Sequence, residues 1–126
     1  MKTLSMAPYP AVILLTDDRK EFYRVYKRMT GYAYNGGHAQ GTMCRMEKPD
    51  SDKKYVFLVH AKGTPTLAHE FSHAILDVFD IAGIDPISAN GEPFAYMMSH
   101  LMETALKKKA RSRRAPSASD VVTVQA

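Results

Sequence analysis

The chain has 126 residues, of which 45% are apolar and 24% charged, a size and composition that fit one small folded domain. Seventeen Lys and Arg residues against 13 Asp and Glu give a formal net charge of +4, so nucleic acid is the first partner class to consider. The longest uninterrupted apolar runs have five residues, as at residues 11–15, far short of the roughly 18 to 20 residues of a membrane-spanning helix, and this argues against a helical membrane protein.

The N-terminal segment and the cysteine content indicate a compartment. Lys2 is followed by Pro8 and Pro10 and by no small-x-small cleavage site, so we expect no signal peptide. A single cysteine, Cys44, cannot form an internal disulfide and is most simply a buried small residue. We therefore expect a cytoplasmic protein without a membrane anchor.

The first half of the domain contains one clear strand pattern and one clear helix pattern. The β-branched and Leu-rich run at residues 11–15 predicts a buried strand. Thr16 is the predicted N-cap of an amphipathic helix over residues 17–29, which Gly31 ends. The basic residues on this helix are best interpreted as a solvated face, not as a nucleic-acid patch.

A hairpin and two further helices follow. Residues 38–46 and 54–61 flank a turn-rich segment, which predicts two paired strands. Residues 64–82 begin with Thr-Pro and continue with apolar residues at three- and four-residue spacing, which predicts a helix ended by Gly83. A third helix is predicted over residues 92–109. The expected fold class is α+β, with a small antiparallel or mixed sheet packed against three helices.

The net charge is concentrated at one end of the chain. Residues 1–106 carry 11 basic against 12 acidic side chains, whereas residues 107–126 carry six against one. We therefore divide the chain into a domain at 1–109 and a basic, polar tail at 110–126, which is expected to be flexible or bound to a protein partner. Its β-prone residues 121–124 are suited to pairing with another sheet edge.

The second helix carries the pattern H-E-x-x-H as His69, Glu70 and His73. Imidazoles four residues apart share one helix face, so both can bind a single Zn²⁺ ion through nitrogen. Glu70 is rotated roughly 100° from His69, which places its carboxylate beside the metal, where a general base for a metal-bound water belongs. The pattern therefore predicts zinc chemistry; a pair of ordinary solvated or core histidines is the alternative.

A catalytic zinc needs a third protein ligand, and Glu92, with 18 residues between it and His73, is the best candidate. With His69, Glu70 and His73, this glutamate resembles the gluzincins, zinc metallopeptidases in which H-E-x-x-H is followed by a glutamate ligand on the next helix. The resemblance implies a minimal zincin-like core in which His69, His73 and Glu92 hold Zn²⁺. It also implies that Glu70 acts as the general base in amide-bond cleavage.

Residues 54–106 also resemble small metallopeptidase-like proteins encoded in phage and prophage gene clusters, which carry a Glu followed by Ala-Tyr, here Ala95 and Tyr96. This resemblance implies a peptide or peptide-containing substrate and a location in the host cytoplasm or the virion. In gluzincins the strand before the motif helix is the edge on which an extended peptide docks. Residues 55–60 occupy the matching place, so we expect them to form that edge.

No downstream motif supplies the Tyr or His that usually stabilises the oxyanion in the larger peptidases. Tyr96, which shares a helix face with Glu92, and His100 are the candidates; packing at a helix interface is the alternative for each. Asp77 is either a partner that orients the His73 ring or a solvated carboxylate. Two histidines have no partner pattern: His38 and His60.

The sequence leaves three functions open. The leading one is a zinc-dependent metallopeptidase-like hydrolase. The alternative is a non-catalytic zinc-stabilised structural or interaction protein, such as a phage virion component, which the small size and the missing second lobe favour. A nucleic-acid-binding module ranks last, because it depends on the basic tail, where aromatic residues for base stacking are absent.

Overall fold

The computed structural model describes residues 1–37 and 40–107. His38 and the predicted tail, residues 110–126, lie outside this part of the chain. The elements are β1 (Lys2–Ser5), β2 (Ala11–Thr16), α1 (Arg19–Thr30), β3 (Gly41–Glu47), β4 (Tyr55–Ala61), α2 (Thr64–Ala82) and α3 (Glu92–Leu106), with a 3-10 turn at Ser88–Gly91. None of the helices in the described part has the length and apolar character needed to cross a bilayer.

The four strands form one mixed sheet in the order β1-β2-β4-β3. The β2–β4 pair is parallel, whereas β1–β2 and β3–β4 are antiparallel. The predicted hairpin is confirmed, because Gly41 pairs with Ala61 and Glu47 with Tyr55. With three helices beside this mixed sheet, the predicted α+β class is confirmed.

Alternation along the strands sends side chains to both faces of the sheet, and a separate cluster forms on each face. On one face Ile13, Phe57 and Val59 pack with apolar residues of α2 and α3. On the other face Leu58 packs with Phe22 and Val25 of α1 and with a rim of partly buried aromatic side chains. The sheet is thus the middle of three layers, with α1 alone on one side.

The predicted N-cap of the first helix is wrong by two residues. Thr16 is the last residue of β2, and its hydroxyl accepts a hydrogen bond from the Asp18 amide at 3.0 Å. Asp18 is the actual N-cap, since its carboxylate accepts from the Lys20 amide at 2.9 Å. The C-terminal prediction is confirmed: Gly31 adopts a left-handed conformation and its amide donates to the Lys27 carbonyl.

The expectation that residues 55–60 form an exposed edge is wrong. β4 is a central strand, paired with β2 on one side and β3 on the other, and its residues from Val56 to Ala61 are all buried. The strand that borders the motif helix with one side unpaired, among the described residues, is β3. Its contacts to α2 shape the candidate site.

Candidate functional site

His69 and His73 lie on the solvent-exposed side of α2, in a stripe with Leu76 and Asp80. The opposite side of the helix is buried against the sheet and α3. Its buried residues recur at helical spacing: Leu67, Glu70, Phe71, Ala74, Ile75, Val78 and Phe79. The amphipathic pattern that forms α2 therefore also directs both imidazoles outward.

The two histidines converge on each other. Their Nε2 atoms are 3.2 Å apart and their ring planes are inclined by 80°. Two nitrogens bound to one tetrahedral zinc at 2.0–2.1 Å are about 3.3 to 3.4 Å apart, so the observed separation fits two ligands of a single ion. In the absence of metal the same distance suits a hydrogen bond in which one ring donates to the other.

Glu70 occupies a different environment from its histidine neighbours. The residue is only 6% exposed, and it borders a cleft of about 410 Å³ together with His69 and Gly41. Gly41 is the first residue of β3, and an ideal Cβ built on it would lie 2.8 Å from the Glu70 Oε2 atom. The carboxylate is therefore enclosed between α2 and the edge strand, at the floor of a cleft that also exposes one of the predicted zinc ligands.

The third predicted ligand, Glu92, is the first residue of α3 and its side chain is exposed. Within residues 1–37 and 40–107, no three His, Cys, Asp or Glu side chains form a group arranged to hold a metal ion. His69 and His73 are thus brought together, and the assignment of Glu92 stays a prediction.

Strained backbone directly precedes Glu92. Ala89 and Asn90 have φ values of 51° and 60°, and Gly91 follows with 79°. A left-handed Ala costs on the order of 1 kcal/mol, and such outliers persist where surrounding contacts hold them, often at functional segments. The conformation of Ser88–Gly91 therefore sets where the side chain of Glu92 emerges.

Tyr96 and His100 line a second cavity of about 320 Å³, with Pro8 and Tyr9. Tyr96 is 71% exposed, and the His100 Nε2 atom is 3.0 Å from the Ser5 carbonyl oxygen. Neither residue borders the cleft of His69 and Glu70. These oxyanion candidates line a different cavity from the one at His69 and Glu70, and their catalytic role stays a prediction.

Asp77 is a partly exposed surface carboxylate that is paired with a residue of the edge strand. Its Oδ1 atom accepts a hydrogen bond from the Arg45 guanidinium at 2.8 Å, which ties α2 to the edge strand one turn beyond His73. Gly41 contacts α2 near the other end of the motif. Sequence reasoning missed both contacts, because each joins residues about 30 positions apart.

The Cys44 thiol lies on β3 and is half-buried. Burial, and to a lesser extent the negative charge of Glu70, raise the pKa of this thiol above its usual range. Cys44 therefore stays protonated at neutral pH, and it is less enclosed than the buried residue that the sequence predicts.

His60 is the one histidine within the described residues that is buried, at 6% exposure. It lies at the end of β4, and burial together with the nearby Arg19 guanidinium lowers its pKa. The unfolded chain therefore binds a proton more readily than the folded chain. It follows that the free energy of unfolding falls as pH drops below the unfolded pKa of about 6.5.

We expect His60→Gln to remove this pH dependence. Between pH 7 and pH 5 the wild type should lose stability relative to the variant, by no more than about 1.4 kcal/mol per pH unit for one proton. Urea unfolding at pH 7, 6 and 5 measures the difference. If the free energy of unfolding changed equally with pH in both proteins, His60 would have the same pKa in the folded and unfolded states.

No family model, curated protein or solved structure matches this chain.

Proposed function

We propose that this protein is a zinc-dependent, gluzincin-like metallopeptidase that cleaves amide bonds in a peptide or peptide-containing substrate. The observation that carries the proposal is the convergence of the His69 and His73 Nε2 atoms at 3.2 Å beside a buried Glu70. Bound zinc would supply a Lewis acid that lowers the pKa of water and polarises a carbonyl group. His69, His73 and Glu92 are the residues proposed to hold it.

Glu70 is proposed to move the proton. Its carboxylate at the floor of the cleft would accept a proton from the attacking water and pass it to the leaving amine. Because protein surrounds Glu70 on most sides, its orientation is constrained, as a general base requires. The cleft beside it opens toward Gln40, Pro65 and Thr66, which gives a substrate access from solvent.

The edge strand β3 offers a way to hold an extended peptide. One side of β3 pairs with β4, and among the described residues no strand covers the other side. A peptide can add to such an edge through main-chain hydrogen bonds. Since Gly41 and Arg45 both contact α2, a peptide docked on β3 would pass beside the histidine pair.

The alternative function is a non-catalytic zinc-stabilised structural or interaction protein. Two observations favour it: no third ligand joins His69 and His73 within the described residues, and Tyr96 borders another cavity. In that case the metal would stabilise the domain and the basic tail would bind a protein partner. For either function, the resemblance to phage-encoded proteins supports a location in the host cytoplasm or the virion.

A panel of fluorogenic peptides and peptidoglycan fragments separates the two functions. The zinc-loaded protein is compared with the same protein after chelation and dialysis. The peptidase proposal expects cleavage of at least one substrate that chelation abolishes and zinc restores. Stoichiometric zinc without turnover across the panel would favour the structural alternative.

A further inference from the structure

Gly41 is placed where a side chain cannot fit without displacing its neighbours. An ideal Cβ at this position would lie 2.8 Å from the Oε2 atom and 3.0 Å from the Cγ atom of Glu70. It would also lie 2.5 Å from the Cγ2 atom of Thr66. The Thr66 methyl group and the Glu70 side chain thus together occupy the volume that any other residue at position 41 would take.

Backbone conformation does not explain the glycine. Four glycines have positive φ values, namely Gly31, Gly63, Gly83 and Gly91, and Gly41 is not among them. Gly41 is the first residue of β3 and pairs with Ala61, a position where glycine adds no packing and loses more conformational entropy than alanine. The close approaches of Thr66 and Glu70 are therefore the features that account for a glycine here.

From these contacts we propose that Gly41 is a positioning residue for Glu70. By carrying no side chain, it leaves room for the carboxylate beside His69 at the floor of the cleft. This inference rests on the proposed peptidase function, but the steric contact on which it depends can be measured without any substrate. The three atoms nearest to a Cβ at position 41 belong to Thr66 and Glu70, so the effect of a side chain there should act through the base and not through the metal.

The test is Gly41→Ala, with Gly37→Ala as the matched control, since a Cβ on Gly37 would have no atom within 4 Å. We expect Gly41→Ala to lower kcat at least tenfold on a peptide that the wild type cleaves, and to leave the Zn²⁺ dissociation constant within twofold. Gly37→Ala should leave both values unchanged. Full turnover in Gly41→Ala, or a loss of zinc binding there, would overturn the proposal.

The methyl group introduced by Gly41→Ala would contact both Thr66 and Glu70, and a second substitution separates the two contacts. Thr66→Ser removes the Cγ2 atom and so relieves that clash alone. If Glu70 is the residue that matters, Gly41→Ala with Thr66→Ser stays impaired in turnover. Recovery of wild-type kcat in this double variant would show that Gly41 merely accommodates strand-to-helix packing.

When no substrate is cleaved, a double-mutant cycle on stability tests whether Gly41 makes room for the Glu70 carboxylate. In the Glu70→Ala background the colliding carboxylate is absent, so Gly41→Ala should lower the unfolding midpoint less than it does in the wild type. Equal shifts in the two backgrounds would overturn the inference whether or not the protein is an enzyme. Wild-type inactivity on every peptide would instead refute the proposed function and leave this cycle to decide the role of Gly41.

Discussion

Replacing Glu70 by Gln should abolish turnover and preserve zinc binding. Gln is nearly isosteric with Glu, so it should fit the same space between α2 and Gly41. It cannot accept a proton from water, and loss of a general base of this kind typically lowers the rate 10²- to 10⁴-fold. Steady-state kinetics on the best peptide of the panel, together with a Zn²⁺ titration, measures both effects.

The pKa of Cys44 reports independently whether Glu70→Gln removes a negative charge near that thiol. The Glu70 carboxylate contributes to the raised pKa of Cys44, so Glu70→Gln should lower that pKa. The rate of Cys44 alkylation as a function of pH reports it. A Glu70→Gln protein that cleaves peptides at the wild-type rate would contradict the assignment of the general base.

Replacing His73 by Ala should remove zinc-dependent stability. A ligand that binds only the folded state stabilises it by about 2.7 kcal/mol at a concentration 100 times its Kd. In a domain of this size we therefore expect a clear rise in Tm when zinc is added to the wild type. The same addition should leave the Tm of His73→Ala almost unchanged, because one of the two converging nitrogens is missing.

His100→Ala is the matched control for this experiment. His100 contacts the Ser5 carbonyl and borders the second cavity, away from the cleft of His69. Its replacement should leave the zinc-induced rise in Tm intact. If His73→Ala and His100→Ala respond to zinc alike, the histidine pair is not the metal site.

The fold was predictable from the sequence where apolar residues recurred at a single, helical spacing. The α1 and α2 patterns place apolar residues on one helix face, and both helices end at the predicted glycines, Gly31 and Gly83. The short strand β1 was not predicted, because its four residues contain one buried side chain, Leu4. Such a strand is defined by its pairing with β2, which a local pattern cannot reveal.

The wrong prediction of residues 55–60 as an edge strand has a physical cause. The strand β4 contains four consecutive apolar residues, from Val56 to Val59, and such a run is typical of a strand buried on both faces. The resemblance to gluzincins suggested an edge there, whereas the hydrophobic run favoured the centre of the sheet. The structure follows the hydrophobic run and places β3, with its Gly41 and charged Arg45, at the border.

Only the part of the candidate site that lies on a single helix was predictable from the sequence. Spacing on a single helix is enough to bring His69 and His73 together, and the structure does so. The contacts from Gly41 and Arg45 to α2 depend on how the hairpin folds back on the helix, so no local pattern contains them. The same applies to Glu92, whose placement depends on the strained turn before α3.

Zinc content tests the central claim most directly. Elemental analysis of the purified, zinc-saturated and desalted protein should give one zinc per chain for the wild type and well under one for Glu92→Ala. The control Glu103→Ala, an exposed glutamate on the same helix, should retain full zinc. Full occupancy in Glu92→Ala would contradict its role as the third ligand, and a wild type without stoichiometric zinc would contradict both metal-based functions.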